Sequence, residues 1–168
     1  MSFVGIICTQ KQEGTIKRIV NENLPNETVI ILKQDNIQNF KNIVFDTIAI
    51  FSNLMEKFPQ KEILINMIEK ANYFVMNADE PIDTNLIQNV KGNAITYGFN
   101  TKSTITASSV KEDGILICIQ RRIQNHFTEE LEPQEILIPL SSYQINATIM
   151  MGIASILLIY GIKQVMIP

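Results

Sequence analysis

The chain has 168 residues, 46% of them hydrophobic and 18% charged, which suits one globular domain with a single buried core and excludes a disordered polymer. Its formal net charge of −3, with Arg121-Arg122 as the only adjacent arginines, excludes an electrostatic nucleic-acid binder, which needs clustered cations to displace counterions from phosphates. Cys8 and Cys118 lie within apolar runs and read as buried free thiols. The opening Met-Ser-Phe-Val-Gly-Ile lacks the basic stretch and cleavage site of a secretory signal, so a cytoplasmic location is the expectation.

The first apolar run, residues 3–8, is short and continuous, as expected of a strand buried on both faces. Gly14-Thr15 then opens a predicted helix in which Ile16, Ile19 and Val20 share a face, and Pro25-Asn26 breaks it. Strands are predicted over residues 28–32 (TVIIL), 47–51 (TIAIF), 73–76 (YFVM) and 94–97. Helices are predicted over 59–70, with Ile63, Met67 and Ile68 inward, and over 81–90. The pattern then changes. Residues 104–110 (TITASSV) alternate, Lys111-Glu112-Asp113-Gly114 signals a turn, and residues 115–119 (ILICI) follow, which makes a β-hairpin. A polar loop holding His126 precedes a strand over 135–140. Residues 147–162 (ATIMMGIASILLIYGI) carry no charge but fall short of the about 20 apolar residues a membrane span needs. They read as a helix buried on all sides, and no membrane association is expected. The order predicts an α/β fold: a mainly parallel, Rossmann-like sheet with flanking helices, plus a small antiparallel meander in the C-terminal half, in one domain over 1–168.

Several stretches, in matching order, resemble the central ATP-binding domain of Mur ligases, enzymes that join an amino acid to a carboxylate through an acyl-phosphate. Asn77-Ala78-Asp79-Glu80-Pro81 after a strand resembles the family's Asn-Ala-Asp-Asp-Pro. Residues 48–54 (IAIFSNL) resemble its strand ending in Thr-Asn-Ile, and Ala94-Ile95-Thr96-Tyr97-Gly98 with Thr104-Ile105-Thr106-Ala107 resembles its next strand, Gly and first meander strand. Ile138-Pro139-Leu140, Asn146-Ala147 and the apolar helix ending at Gly161-Ile162 resemble its Leu-Pro-Gly, Asn-Ala and Gly-Ile segment. The likeness covers roughly residues 44–162, and Val4-Gly5-Ile6 extends it to the strand that enters the family's phosphate loop.

The same register shows what is missing. A phosphate loop needs glycines for close backbone approach, a Lys for the β/γ charge and a Ser or Thr for Mg²⁺. The glycines fall on Cys8 and Lys11, the Lys on Gln12 and the hydroxyl on Glu13. Shifting by one brings Lys11 to the lysine place but puts Gln10 and Gln12 at the glycine and hydroxyl places. Glu13 is expected to aim a carboxylate where phosphate would sit, a repulsion of about 4 kcal/mol for charges about 4 Å apart at an effective dielectric near 20. The family's Asp-His-Leu becomes Met55-Glu56-Lys57, and its His-Asn becomes Ser142-Tyr143, leaving Asn146 as the matching adenine-contacting position. The stretch that in the family carries a metal-binding Glu is shortened, and with the chain ending at Pro168 the flanking UDP-sugar and amino-acid domains are expected to be absent.

Other chemistry has two readings at each place. Asp79 and Glu80 form either a carboxylate pair at a strand end or an acidic helix start before Pro81. The Gly14-Thr15 helix start either binds an anion through free N–H groups or is simply a helix start. His126 reads as a solvated loop residue, not the partner of a cysteine. No Cys/His cluster has metal-ligand spacing, and no cofactor is expected. The candidates for ligand binding are Gly14, Thr15, Asn77, Asp79 and Asn146, with no catalytic residue assigned. The resemblance and its departures imply a non-catalytic, Mur-ligase-like binding or regulatory module, with a subunit that keeps weak nucleotide or UDP-sugar binding and completes a ligase site with another chain as the alternative. A homodimer, pairing through the last strands and the terminal helix, and another Mur-type ligase are the expected partners, because apolar faces without covering domains favour self-association.

Overall fold

The computed structural model describes residues 1–52, 58–81, 84–139 and 145–167. Asn53, Leu54, Met55, Glu56 and Lys57, and Leu140, Ser142, Tyr143, Gln144 and Pro168, on which part of the sequence reading rests, lie outside the described residues.

Strand β1 (Phe3–Ile7) leads into helix α1 (Gln10–Asn23) and strand β2 (Thr28–Ile31). A 3-10 turn over Ile37–Phe40, which the hydrophobic pattern does not announce, precedes β3 (Thr47–Ile50). Then come α2 (Lys61–Lys70), β4 (Tyr73–Asn77), the five-residue α3 (Thr84–Gln88) and β5 (Asn93–Tyr97). The hairpin β6 (Ile105–Lys111) and β7 (Gly114–Ile119) follows, and the loop around His126 holds a short pair, β8 (Ile123–Gln124) and β9 (Glu130–Leu131). Strand β10 (Gln134–Pro139) and helix α4 (Ala147–Ile159) complete the fold.

Eight strands form one sheet in the order β10-β7-β6-β5-β4-β3-β1-β2. Strands β1 to β6 pair in parallel, and β7 and β10 run antiparallel at one edge, as the sequence pattern predicts. The apolar runs follow from a sheet covered on both faces. Ala49, Tyr73 and Val75 join the core that α1 and α4 cover, while the alternate Ile48, Ile50, Phe74 and Met76 join the core that α2 covers. Helix α4 is buried along its whole length from Met150 to Ile159, which is why it carries no charge. On α2 the inward residues are Leu64, Met67 and Ile68, so Leu64 takes the place assigned to Ile63.

Two expectations are corrected here. Helix α1 begins at Gln10 with Thr9 as its N-cap, so Gly14 and Thr15 lie in its second turn and their N–H groups are engaged by carbonyls one turn back. Gly14 is the conspicuous residue of this stretch, but Thr9-x-x-Gln12 is the stronger start signal and sets the boundary. His126 is also not a freely solvated loop residue. Its ring stacks on Tyr160, and its Nδ1 lies 3.4 Å from Asp46 Oδ2 at the amino-terminal edge of the sheet.

Asp46 is only 7% exposed and gathers donors from distant segments. The Tyr160 hydroxyl donates to Oδ2 at 2.8 Å, and Asn72 Nδ2 donates to Oδ1 at 2.8 Å. The Tyr160 oxygen is also within 3.2 Å of Thr47 Oγ1 and of Ser2 Oγ. Burial pushes the Tyr160 phenol far up, the Ser2 and Thr47 hydrogen bonds oppose the rise and Asp46 adds to it, so it stays a donor. Replacing Asp46 by Ala takes the acceptor from the buried Tyr160 hydroxyl and from Asn72 at once. Urea unfolding of Asp46→Ala is expected to show a loss of about 3 kcal/mol, and a midpoint equal to that of the parent protein would refute the role given to this carboxylate.

Candidate functional site

In a parallel sheet the carboxyl ends of the strands open to one edge, and a crevice forms where neighbouring connections diverge. Here that place lies between β1, whose other neighbour is β2, and β3. A cavity of about 300 Å³ opens there. Gln12 from the head of α1, Phe51 just after β3, Asn77 at the end of β4 and Tyr97 at the end of β5 form its floor and walls. Asp79 and Glu80 stand at one side, and the first turn of α4 closes it with Asn146, Thr148 and Ile149.

Gln12, Asn77, Asp79 and Asn146 are each held by a backbone N–H. The Gln12 amide oxygen accepts from Thr9 N–H at 2.9 Å and from Ser52 Oγ at 2.9 Å. The Asn77 Oδ1 accepts from Asp79 N–H at 3.0 Å. Asp79 in turn accepts from Phe99 N–H at 2.7 Å and from Asn100 N–H at 2.8 Å, one on each carboxylate oxygen. That clamp needs Gly98 between β5 and the loop: its φ of +147° is reserved for glycine, and a Cβ there would stand 2.6 Å from Asp79 Oδ2. Asn146 caps α4, its Oδ1 accepting from Thr148 N–H at 2.8 Å. Tyr97 has no exposed surface, and its hydroxyl has no hydrogen-bond partner among the described residues. Burial first, then the Glu80 and Asp79 carboxylates, push that phenol far up, so it remains a neutral donor.

Three of the sequence candidates, Asn77, Asp79 and Asn146, therefore meet in one cavity, although Asn146 lies far from the other two in the chain. Gly14 and Thr15 do not line it. A Cβ on Gly14 would meet nothing within 4 Å, so no close backbone approach calls for that glycine. Asp79, for which the sequence offers a carboxylate pair or an acidic helix start, has both oxygens engaged by backbone amides and acts as a clamp on the loop after β5. Glu13 does not line the cavity either; it pairs with Lys33 at 2.7 Å, which corrects the expectation that it faces the phosphate position. Gln12 and Tyr97 are the wall residues that sequence reasoning did not select. Gln12 stood only as a missing lysine, and Tyr97 looked like any aromatic in a strand.

Cys8 sits buried at the end of β1, where burial pushes its thiol up to about 11, Glu13 adds to the rise and Lys33 opposes it. His126 is engaged with Asp46 and Tyr160, and Cys118 is half-buried in β7. Among the described residues no group of His, Cys, Asp and Glu is placed to hold a metal ion, and no helix is long and apolar enough to cross a membrane.

The family model described as Mur ligase middle domain matches residues 17–140, most of the chain. The matched stretch contains Asn77, Asp79 and Tyr97, and it leaves out Gln12 at the head of α1 and Asn146 at the start of α4.

The closing wall depends on one contact. A Cβ on Gly152 would stand 2.5 Å from Phe51 Cε1 and 2.8 Å from Tyr97 Cζ, so any larger residue drives α4 away from the sheet. Gly152→Ala is expected to cost about 1–3 kcal/mol despite the better helix propensity of alanine. A melting temperature at or above that of the parent would show that the contact yields and the prediction fails.

Proposed function

This chain belongs to the Mur ligase middle-domain family, and we propose that within it the protein is a non-catalytic binding or regulatory module connected with peptidoglycan or related peptide-ligase pathways, with another Mur-type ligase as a natural partner. The observation that carries this reading is the position of Gln12. At the head of α1, where the resemblance calls for a lysine reaching phosphate, its side chain folds back onto Thr9 N–H and the Ser52 hydroxyl. The backbone agrees: Gln12 N–H and Glu13 N–H both donate to Thr9 O, at 3.0 and 3.1 Å, as the first turn of a capped helix and not as an open anion cradle. Asp79 and Glu80 then line the cavity, and none of its described lining residues is a Lys or Arg. A nucleotide triphosphate would bring its charge against the Asp79 carboxylate, with no Lys or Arg among the described lining residues to meet it. These features favour the module over a subunit that retains nucleotide binding. Calorimetry with ATP·Mg is expected to show no binding and hydrolysis assays no turnover; a Mg²⁺-dependent Kd in the low micromolar range would overturn the proposal.

We propose further that the module self-associates as a dimer through β10. That strand has β7 on one side only, and Leu137 in its middle is 66% exposed. An edge of this kind presents unpaired backbone groups beside an apolar side chain. Helix α4, the other surface named from sequence, is buried on all sides and is set aside. Light scattering is expected to give twice the 19.1 kDa chain mass, with Leu137→Lys returning it to the monomer value. A monomer mass for the parent protein at micromolar concentration would end this part of the proposal.

A further inference from the structure

The polar groups of the cavity are oriented in a common sense. Tyr97 is wholly buried, lines the cavity and has an unpartnered hydroxyl among the described residues. Buried hydroxyls in folded proteins are paired with protein, water or ligand, so an orphan on a residue that lines a cavity calls for a partner there. The amides of Gln12, Asn77 and Asn146 each have the carbonyl oxygen occupied by a backbone N–H within the fold. A backbone N–H is met only by the oxygen of an amide, so this fixes the flip of all three and leaves the NH2 end of each as its remaining polar face. The cavity thus offers several neutral donors. Phe51 and Ile149 add apolar walls, and Asp79 and Glu80 supply carboxylates beside them.

A ligand must match that array. An anion meets carboxylates and finds no cation among the described lining residues. An ammonium ion has only donors and leaves the hydroxyl and NH2 groups without acceptors. Acceptor oxygens on an uncharged molecule satisfy them, and a cavity of about 300 Å³ sits at the small end of the range for ligand pockets. Resting on the reading that this site no longer takes a nucleotide, we propose that the cavity binds a small uncharged ligand rich in acceptor oxygens, either the hydroxyls of a sugar ring or the carbonyl of a small amide, with the Tyr97 hydroxyl donating to it.

The test follows the side-chain NH2 signals of Gln12, Asn77 and Asn146 by proton–nitrogen NMR in the full chain. The probes are methyl glucoside, N-methylacetamide, glucose 6-phosphate and ATP·Mg. Saturable shifts are expected with methyl glucoside or with N-methylacetamide, and which of them acts identifies the source of the oxygens. Glucose 6-phosphate is expected to bind about tenfold more weakly than the glucoside, or not at all. Tyr97→Phe is expected to weaken the active probe roughly fivefold, the effect of one lost hydrogen bond, while the unliganded protein melts at the same or a higher temperature. A lower melting temperature would mean that the hydroxyl has a structural partner, and unchanged affinity would mean that it does not touch the ligand. Either result overturns the proposal, as does silence from both uncharged probes, which leaves the binding-module reading standing. Shifts with ATP·Mg would instead overturn that reading.

Discussion

The contact between Gly152 and the rings of Phe51 and Tyr97 sets the spacing of the last helix from the sheet. Close packing of this kind leaves no room for a methyl group, so helix and sheet hold a single separation. From it follow the burial of α4 on every side, the sealing of Tyr97 beneath it and the position of the Asn146 turn over the strand ends. The cavity is therefore the gap left where α4 begins, bounded by the residues that the rest of the helix presses into place.

At the other wall, the head of α1 has a different kind of closure. Gln12 accepts hydrogen bonds from its own N-cap residue and from Ser52 after β3, tying the loop after β1 to the neighbouring strand end. A glycine-rich loop leaves its N–H groups pointing outward and needs a bound anion to complete them. Here Thr9 O takes the N–H groups of Gln12 and Glu13, so these two are met within the helix. The Mur ligase middle-domain frame is thus kept with a capped helix start at the head of α1.

Much of this frame was legible in the residues. The continuous apolar runs around Val4, Ala49 and Val75 marked strands covered on both faces, and the charge-free run from Met150 to Ile159 marked a helix buried all round. Both signals come from burial, which leaves few alternatives. The start of α1 was missed because Gly14 is conspicuous and Thr9-x-x-Gln12 is not, although capping is what sets the boundary. The convergence of Asn77, Asp79 and Asn146 could be named but not seen, since it depends on strand order and on the approach of α4. Tyr97 was invisible as a site residue because its unpaired hydroxyl is a fact about its surroundings and not about its type. His126 was misjudged for a related reason: a polar local sequence hid contacts made with Asp46 and Tyr160 at long range.

The Asp46 cluster bears on how the chain folds. Its carboxylate is neighboured in sequence by Thr47, yet its short hydrogen bonds come from Asn72 and from Tyr160, 114 positions away. A carboxylate in that place is costly to bury until those donors arrive. Any half-formed state that assembled β1 to β4 without α4 would enclose Asp46 with part of its shell missing. Removing the last helix therefore takes from the sheet the hydroxyl that closes over Asp46, which couples the two parts. The polar cluster at the amino-terminal edge thereby acts as a cooperativity device, making the two ends of the sequence answer to the same transition.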